Sequence, residues 1–299
     1  MNQSSSFSSN EAPTKRPSWP WLVLVLVAVG IAAAWQFSSQ RAAQPAPVVV
    51  NPQLRLTADP IEDKIDAFKA KMRDLLNKRS YAELERMAAD GLRDKGCFEN
   101  GEWHIRCLNE SVAEGLQNNE ADWDKREGCI RGWVAEYPKS VSARAAMVEF
   151  LTRRAWFYRG DKWASQVPQD AWPKFERYLK SAQQEFETAR ALEDKSPELY
   201  SRGLIVAKGL GLSKEYTLGV FYEGKKLFPE YRSLYTQIAY YLLPRWHGKR
   251  GEFESFLFQE TRDVKDGDCI YTGTARRTRQ CRGRSARRCS VHSLHESVG

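Results

Sequence analysis

Apolar residues recur at every third or fourth position through most of the chain, beginning just after residue 59. The first stripe consists of Ile61, Ile65, Phe68, Met72, Leu75 and Leu76. This is the spacing of one face of an α-helix, and Asp59 and Pro60 suit its capping and first helical positions. A second stripe follows Ser80 and consists of Tyr81, Leu84, Met87, Ala88 and Leu92. The pattern predicts two antiparallel helices joined by a short turn.

Three proline junctions divide the rest of the body: Tyr137-Pro138, Ser196-Pro197 and Phe228-Pro229. Proline restricts the residue before it and fits the start of a helix, so each junction predicts one helix ending and another beginning. The prolines lie 59 and 32 residues apart. The second interval is close to the 34-residue tetratricopeptide period, and the first is one period plus an insertion, assigned to residues 160–173.

Large and small apolar residues alternate within these stripes, as close-packed helix pairs require. One such face consists of Phe175, Tyr178, Leu179, Ala182, Phe186, Ala189 and Leu192. No segment shows the sustained two-residue alternation of a strand. The sequence therefore predicts an all-α protein in which residues 59–268 form tetratricopeptide-like α-α hairpins, an α-solenoid.

Residues 19–37, with the sequence WPWLVLVLVAVGIAAAWQF, contain no ionisable side chain. A helix of this length spans about 28 Å, which matches the hydrocarbon core of a bilayer. Aromatic rings stand at both ends of the segment, where the headgroup layers would lie: Trp19, Trp21, Trp35 and Phe37. The segment is predicted to be a transmembrane helix that anchors the chain in the lipid bilayer.

Lys15 and Arg16 precede this helix, and Arg41 is the nearest charge after it. The positive-inside bias then predicts that residues 1–18 are cytoplasmic and that the body is exported. Residues 38–58, rich in Pro and Ala, form a linker. The alternative is a signal peptide cleaved near residues 32–34, which would release a secreted protein.

Most of the formal charge of +8 is concentrated at the C-terminal end. Residues 270–299 carry seven Arg and one Glu, so the remaining residues sum to only +2. Residues 269–299 are predicted to be a disordered Arg-rich tail, with two interpretations: a genuine basic extension or a shifted reading frame. Specific nucleic-acid recognition is not expected, because a flexible basic end attracts polyanions without distinguishing them.

Four residues, Cys97, His104, Cys107 and Cys129, have a spacing that superficially resembles a metal site. Structural zinc sites usually contain tighter cysteine pairs, so no metal and no cofactor are predicted. In an oxidising compartment, a Cys97–Cys107 disulfide around the loop at Asn100 is favoured. The alternative is that both cysteines are small core residues.

No nucleophile elbow, phosphate loop or metalloprotease pattern occurs, so the chain is not expected to be an enzyme. The candidate binding residues lie in one block near the C-terminal end of the body: Tyr240, Tyr241, Arg245, Trp246 and His247. Pro244 and Gly248 place this block at a hairpin tip. Either Trp246 fills a space between hairpins while Arg245 pairs with an acid, which is the favoured interpretation, or both contact a ligand.

The block YYLLPRWHG at residues 240–248, with NGEW at 100–103, WVAEYP at 133–138 and SAR at 142–144, resembles a bacterial family known as domain of unknown function 4034. The resemblance covers roughly residues 75–268. It implies tetratricopeptide-like helices in a protein of the bacterial envelope, and it implies no established activity or ligand.

These observations together predict a single-pass protein of the bacterial inner membrane. Its periplasmic C-terminal domain would be a scaffold or adaptor that binds another envelope protein. Two alternatives remain open. One is an enzyme or accessory factor that uses His247 with Arg245 and an acid such as Glu252, and the other is polyanion binding through the Arg-rich tail.

Overall fold

The computed structural model describes residues 60–93, 95–116, 119–162 and 164–283. These residues form eleven α-helices, one 3-10 turn at Ala164–Gln166 and an isolated bridge between Cys97 and Trp103, and no strand occurs among them. The helices are α1 Pro60–Asn77, α2 Tyr81–Arg93, α3 His104–Ser111, α4 Glu120–Glu136, α5 Val141–Arg159, α6 Ala171–Arg190, α7 Pro197–Leu210, α8 Lys214–Leu227, α9 Arg232–Tyr241, α10 Glu252–Thr261 and α11 Gly267–Gly283. The all-helical prediction is confirmed for this part of the chain.

The first helix pair forms as its apolar stripes predict. Ile65, Met72 and Leu76 of α1 are buried, as are Leu84 and Ala88 of α2. Helix α1 begins at Pro60. Proline suits this position because it has no backbone N–H, and an N–H in the first helical turn would have no partner within the helix.

All three proline junctions mark the ends of helices. Helix α4 ends shortly before Pro138, α7 begins at Pro197, and α8 ends shortly before Pro229. The segment assigned to an insertion, residues 160–173, connects α5 to α6, although α6 already begins at Ala171.

Helices α5 and α7 form the centre of the fold. Thirteen of the nineteen residues of α5 and eleven of the fourteen residues of α7 are buried. Both helices are therefore covered on most sides, whereas a surface helix buries only one stripe. The close approach of α7 to α6 depends on Gly203, where a Cβ atom would lie 2.4 Å from Cε2 of Phe186. All described residues belong to one compact unit.

The C-terminal region differs from the prediction that disorder begins at residue 269. Helix α11 continues to Gly283 and packs against α9 and α10. The buried side chains among those described in this helix are Ile270, Thr274, Ala275 and Thr278. Their spacing of four, one and three residues makes a narrow helical stripe, which is sufficient to hold the helix on its neighbours. Residues 284–299 lie outside the described part of the chain.

The predicted membrane anchor at residues 19–37 also lies outside the described residues, as do the predicted cytoplasmic segment and linker. Among the helices that the structure does describe, none combines the length and the apolar character that crossing a bilayer requires.

Candidate functional site

The two tyrosines of the predicted binding block lie at the end of α9 and are buried, with 3% of Tyr240 and 1% of Tyr241 exposed. The hydroxyl of Tyr241 donates a hydrogen bond to the backbone carbonyl of Leu212, at 2.9 Å. Tyr241 therefore joins α9 to the connection between α7 and α8, and its hydroxyl is not presented to solvent.

The turn after α9 is tightly closed by backbone hydrogen bonds. The amide of His247 donates to the carbonyl of Tyr241 at 3.1 Å, and the amide of Gly248 donates to the carbonyl of Leu243 at 3.2 Å. A Cβ atom at position 248 would lie 1.9 Å from the carbonyl oxygen of Leu242, so only glycine fits there. This turn fixes the direction of the side chains that precede it.

His247 is held by two contacts, and neither is with a charged side chain. Its ring stacks on Tyr241 with a centroid separation of 4.5 Å. Its Nε2 atom lies 3.2 Å from the backbone carbonyl oxygen of Lys208, which is a hydrogen bond if Nε2 carries the proton. The imidazole of His247 is exposed, and its contact with Lys208 connects the turn to the end of α7.

Trp246 is half-buried and forms an edge-to-face contact with Trp156 of α5, at 6.1 Å between ring centroids. The ammonium nitrogen of Lys208 lies 5.1 Å from the Trp246 ring centroid and 5.4 Å from that of Tyr240. The favoured interpretation placed Trp246 between helices, and the structure agrees in part. The side chain packs on α5 but keeps an exposed portion, and Arg245 beside it is exposed.

Arg159 occupies the equivalent place over the neighbouring rings. Its guanidinium carbon lies 5.4 Å from the Trp156 centroid and 5.8 Å from the Trp172 centroid. Its Nη1 atom donates to the carbonyls of Gly160, at 3.0 Å, and Lys162, at 2.8 Å. Burial lowers the pKa of Arg159, and the nearby charge of Asp161 acts to raise it. A guanidinium stays protonated in proteins, so the group carries a positive charge.

We call these residues the aromatic-cation cluster: Trp156, Arg159, Trp172, Lys208, Tyr240 and Trp246. Four helix ends and one turn bring them together, and only Tyr240 and Trp246 were predicted as site residues. The others come from the end of α5, the start of α6 and the end of α7. One signal in the sequence was the run Trp-Phe-Tyr-Arg at residues 156–159, which places three aromatic rings and a cation in one helical turn.

A second unpredicted feature is a buried ionic network between α3, α5 and α7. It contains three arginines and three glutamates: Arg106, Glu110, Glu149, Arg153, Glu198 and Arg202. The Nη1 atom of Arg202 lies 3.0 Å from Oε2 of Glu149. This Oε2 atom accepts no hydrogen bond from the described residues, so the contact is an ion pair only. Arg202 also pairs with Glu198, one helical turn earlier.

The network extends to α1 and to the start of α9. Lys69 of α1 lies 3.1 Å from Glu110, and the hydroxyl of Tyr231 donates to Glu198. Burial alone would raise the pKa of Glu110, but the charges of Arg106, Lys69 and Arg202 lower it to about 2. Burial raises the pKa of Glu198, and Arg202 and Arg106 offset this only in part. Because each charged side chain of the network has an opposite charge beside it, the network is suited to holding helices together.

The cysteines differ from the predicted arrangement. Cys97 and Cys107 are both free thiols: Cys97 is exposed in the loop before α3, whereas Cys107 is fully buried in α3. Burial raises the pKa of the Cys107 thiol, which keeps it protonated and unreactive. No group of three or more His, Cys, Asp or Glu side chains with an arrangement for a metal occurs in the part of the chain that the structure describes.

Comparisons with curated proteins and with solved structures gave no match. A family model did match, over residues 68–202. The matched segment runs from α1 into α7 and contains Trp156, Arg159 and Trp172 together with the six residues of the buried ionic network. It ends before Lys208 and before the block at residues 240–248, so it is shorter than the extent predicted from the sequence. The match confirms, for residues 68–202, the resemblance to the family described as Domain of unknown function (DUF4034).

Proposed function

We propose that the chain is a membrane-tethered helical-repeat scaffold that binds another envelope protein without making or breaking covalent bonds. In this proposal residues 19–37 span the bacterial inner membrane. The linker at 38–58 then carries a periplasmic body of tetratricopeptide-like hairpins. The charge bias around the apolar segment and the contacts between successive helices of the body support this arrangement.

The observation that carries the proposal is the aromatic-cation cluster. Trp156 and Trp246 are fixed by their mutual contact, and both are half-buried. Rings held in one orientation lose little conformational entropy when a partner covers them, which favours tight protein contacts. Tryptophan and arginine are also the residues most often found at the energetic centre of protein interfaces.

An enzyme centred on His247 is less well supported. The imidazole contacts a backbone carbonyl and a tyrosine ring rather than a nucleophile. The acid considered as its partner, Glu252, forms an ion pair with Lys214 and accepts a hydrogen bond from the amide of Lys249, at 2.7 Å. Glu252 therefore stabilises the turn before α10 through both interactions.

Partner capture with the tagged full chain tests the scaffold proposal. We expect Trp246→Ala to reduce the captured partner about tenfold or more, because a central aromatic contact is worth 2 kcal/mol or more. Phe258→Ala is the matched control: Phe258 is an exposed aromatic residue, at 62%, and it lies on α10, which contributes no residue to the cluster. His247→Ala should reduce capture far less than Trp246→Ala.

Equal capture by the wild type and by a folded Trp246→Ala variant would contradict the proposal. Loss of activity toward any substrate in His247→Ala, with capture unchanged, would favour the enzyme instead. Folding of each variant is checked by its helical circular dichroism and its unfolding midpoint.

A further inference from the structure

We propose that the aromatic-cation cluster binds an acidic, extended peptide segment of the partner protein, with Arg159 and Lys208 pairing with carboxylates of that segment. This inference rests on the scaffold function proposed above, and it specifies the chemistry of the ligand.

The two cations form one site because the rings beneath them touch. Arg159 lies over Trp156, Lys208 lies over Trp246, and the two tryptophans are in edge-to-face contact. Only the pair of tryptophan rings therefore lies between the two cations, so one ligand can contact both. Two carboxylates a few residues apart on an extended chain, which rises about 3.3 Å per residue, can span such a distance.

Arg159 is positively charged without forming a salt bridge to any described residue. Its Nη1 donates to two backbone carbonyls, and no hydrogen bond from its Nε or Nη2 to the described residues occurs. Burial lowers its pKa, which means that the charge is less well solvated here than in water. A carboxylate supplied by a ligand would restore this lost stabilisation, and a guanidinium binds a carboxylate through two parallel hydrogen bonds.

Each tryptophan ring of the cluster has a cation over one face, which leaves less open face to a stacking ligand. Cations lie over Trp156, Trp172 and Trp246. A sugar or a nucleic-acid base would need a free ring face to stack on. The cluster therefore favours a ligand recognised by its negative charge.

An acidic peptide fits this surface better than an anionic bilayer does. Membrane-binding rings project from the surface and insert among lipids, whereas the rings of the cluster are half-buried or buried. Among the residues that the structure describes, the large apolar side chains that project are Tyr222, Leu227 and Phe258, on α8 and α10.

Selection from a random peptide library against the purified full chain in detergent tests the inference. We expect the selected peptides to be enriched in Asp and Glu about fivefold over the starting library. The enrichment should disappear with Arg159→Gln combined with Lys208→Gln. It should persist with Arg131→Gln combined with Lys180→Gln, which removes the same charge from two exposed positions on α4 and α6.

Charge reversal provides a variant that does not depend on losing Arg159, whose guanidinium also holds the loop after α5. With Lys208→Glu, the acidic enrichment should fall and basic residues should become enriched. A selected pool without acidic bias, or a bias unchanged in the glutamine variant, would overturn the inference. The inference would also be overturned if the peptides show no acidic bias while the soluble lipid headgroup glycerophosphoserine binds in a way that depends on Arg159 and Lys208.

The two proposals fail in different ways. If partner capture depends on Trp246 but the peptides show no acidic bias, the scaffold function stands and the acidic ligand does not. If no partner is captured, the scaffold function fails whatever the peptides show.

Discussion

Arg202 and Glu149 form a buried ion pair between α7 and α5, with Nη1 and Oε2 separated by 3.0 Å and at most 1% of either residue exposed. Arg202 is also the counter-charge of Glu198 on its own helix. A buried pair is weak evidence of net stabilisation, because taking two charges out of water costs nearly as much as their attraction returns. Removing Arg202 is costly, since Glu149 and Glu198 each then lose a buried counter-charge.

We therefore expect Arg202→Met to reduce the free energy of unfolding by about 3–5 kcal/mol. Urea unfolding followed by circular dichroism provides the measurement. Arg131→Met is the control, because Arg131 pairs with Glu127 on the surface of α4 and should cost less than about 1 kcal/mol. Similar losses in the two variants would show that the network contributes no more than a surface ion pair.

Acid should destabilise the fold through Glu110. Its pKa is lowered from 4.5 to about 2 in the folded state, so its contribution is present above pH 4.5 and is lost as the pH falls toward 2. The loss amounts to roughly 3 kcal/mol. Glu198 acts with the opposite sign, because its pKa is raised in the folded state and its protonation favours folding.

The unfolding free energy measured between pH 5 and pH 2 should consequently fall less steeply in Glu110→Gln than in the wild type. Glu198→Gln is the matched control and should retain the wild-type slope or steepen it. A Glu110→Gln variant with an unchanged slope would indicate that other carboxylates cause the acid sensitivity.

Gly203 is expected to tolerate no side chain. A Cβ atom there would meet the ring of Phe186 at 2.4 Å, so Gly203→Ala should cost about 1–3 kcal/mol despite alanine's higher helix propensity. Gly219→Ala in α8 is the control, since nothing lies within 4 Å of its Cβ position and the change should stabilise the helix by up to about 1 kcal/mol. Thermal unfolding distinguishes the two signs, and stabilisation by both changes would contradict the packing described for α6 and α7.

The free thiols predict a clear difference in reactivity. Cys97 and Cys269 are exposed and should be alkylated in the folded protein, whereas Cys107 and Cys129 should react only after unfolding. Peptide mapping after labelling with iodoacetamide identifies each site. Recovery of a peptide in which Cys97 and Cys107 are linked would instead establish the disulfide that the sequence suggested.

The helix boundaries were largely predictable because they depend on local chemistry. Proline at positions 60 and 197 begins helices for a reason that involves only a few neighbouring residues. Helix α11 was missed because its buried stripe contains Thr274 and Thr278, and the many arginines around it suggested a solvated tail.

The charged core could not be predicted from spacing. Glu149 and Arg153 are four residues apart, as are Glu198 and Arg202, and this is also the spacing of ordinary ion pairs on an exposed helix face. Whether such a pair is buried depends on which helix covers it. The same limit applies to the aromatic-cation cluster, since Trp246 could be identified locally but its contact with Trp156, ninety positions earlier, could not.

The position of the buried ionic network also affects how the protein unfolds. In an array whose units touch only their neighbours, the terminal units detach first and the rest remain folded. Here charged side chains of α1, α3, α5 and α7 form one connected buried network. If any of these helices detaches, buried charges on the other helices lose their counter-charges. Amide hydrogens in these four helices should therefore exchange together, in a single global opening rather than by unzipping from an end.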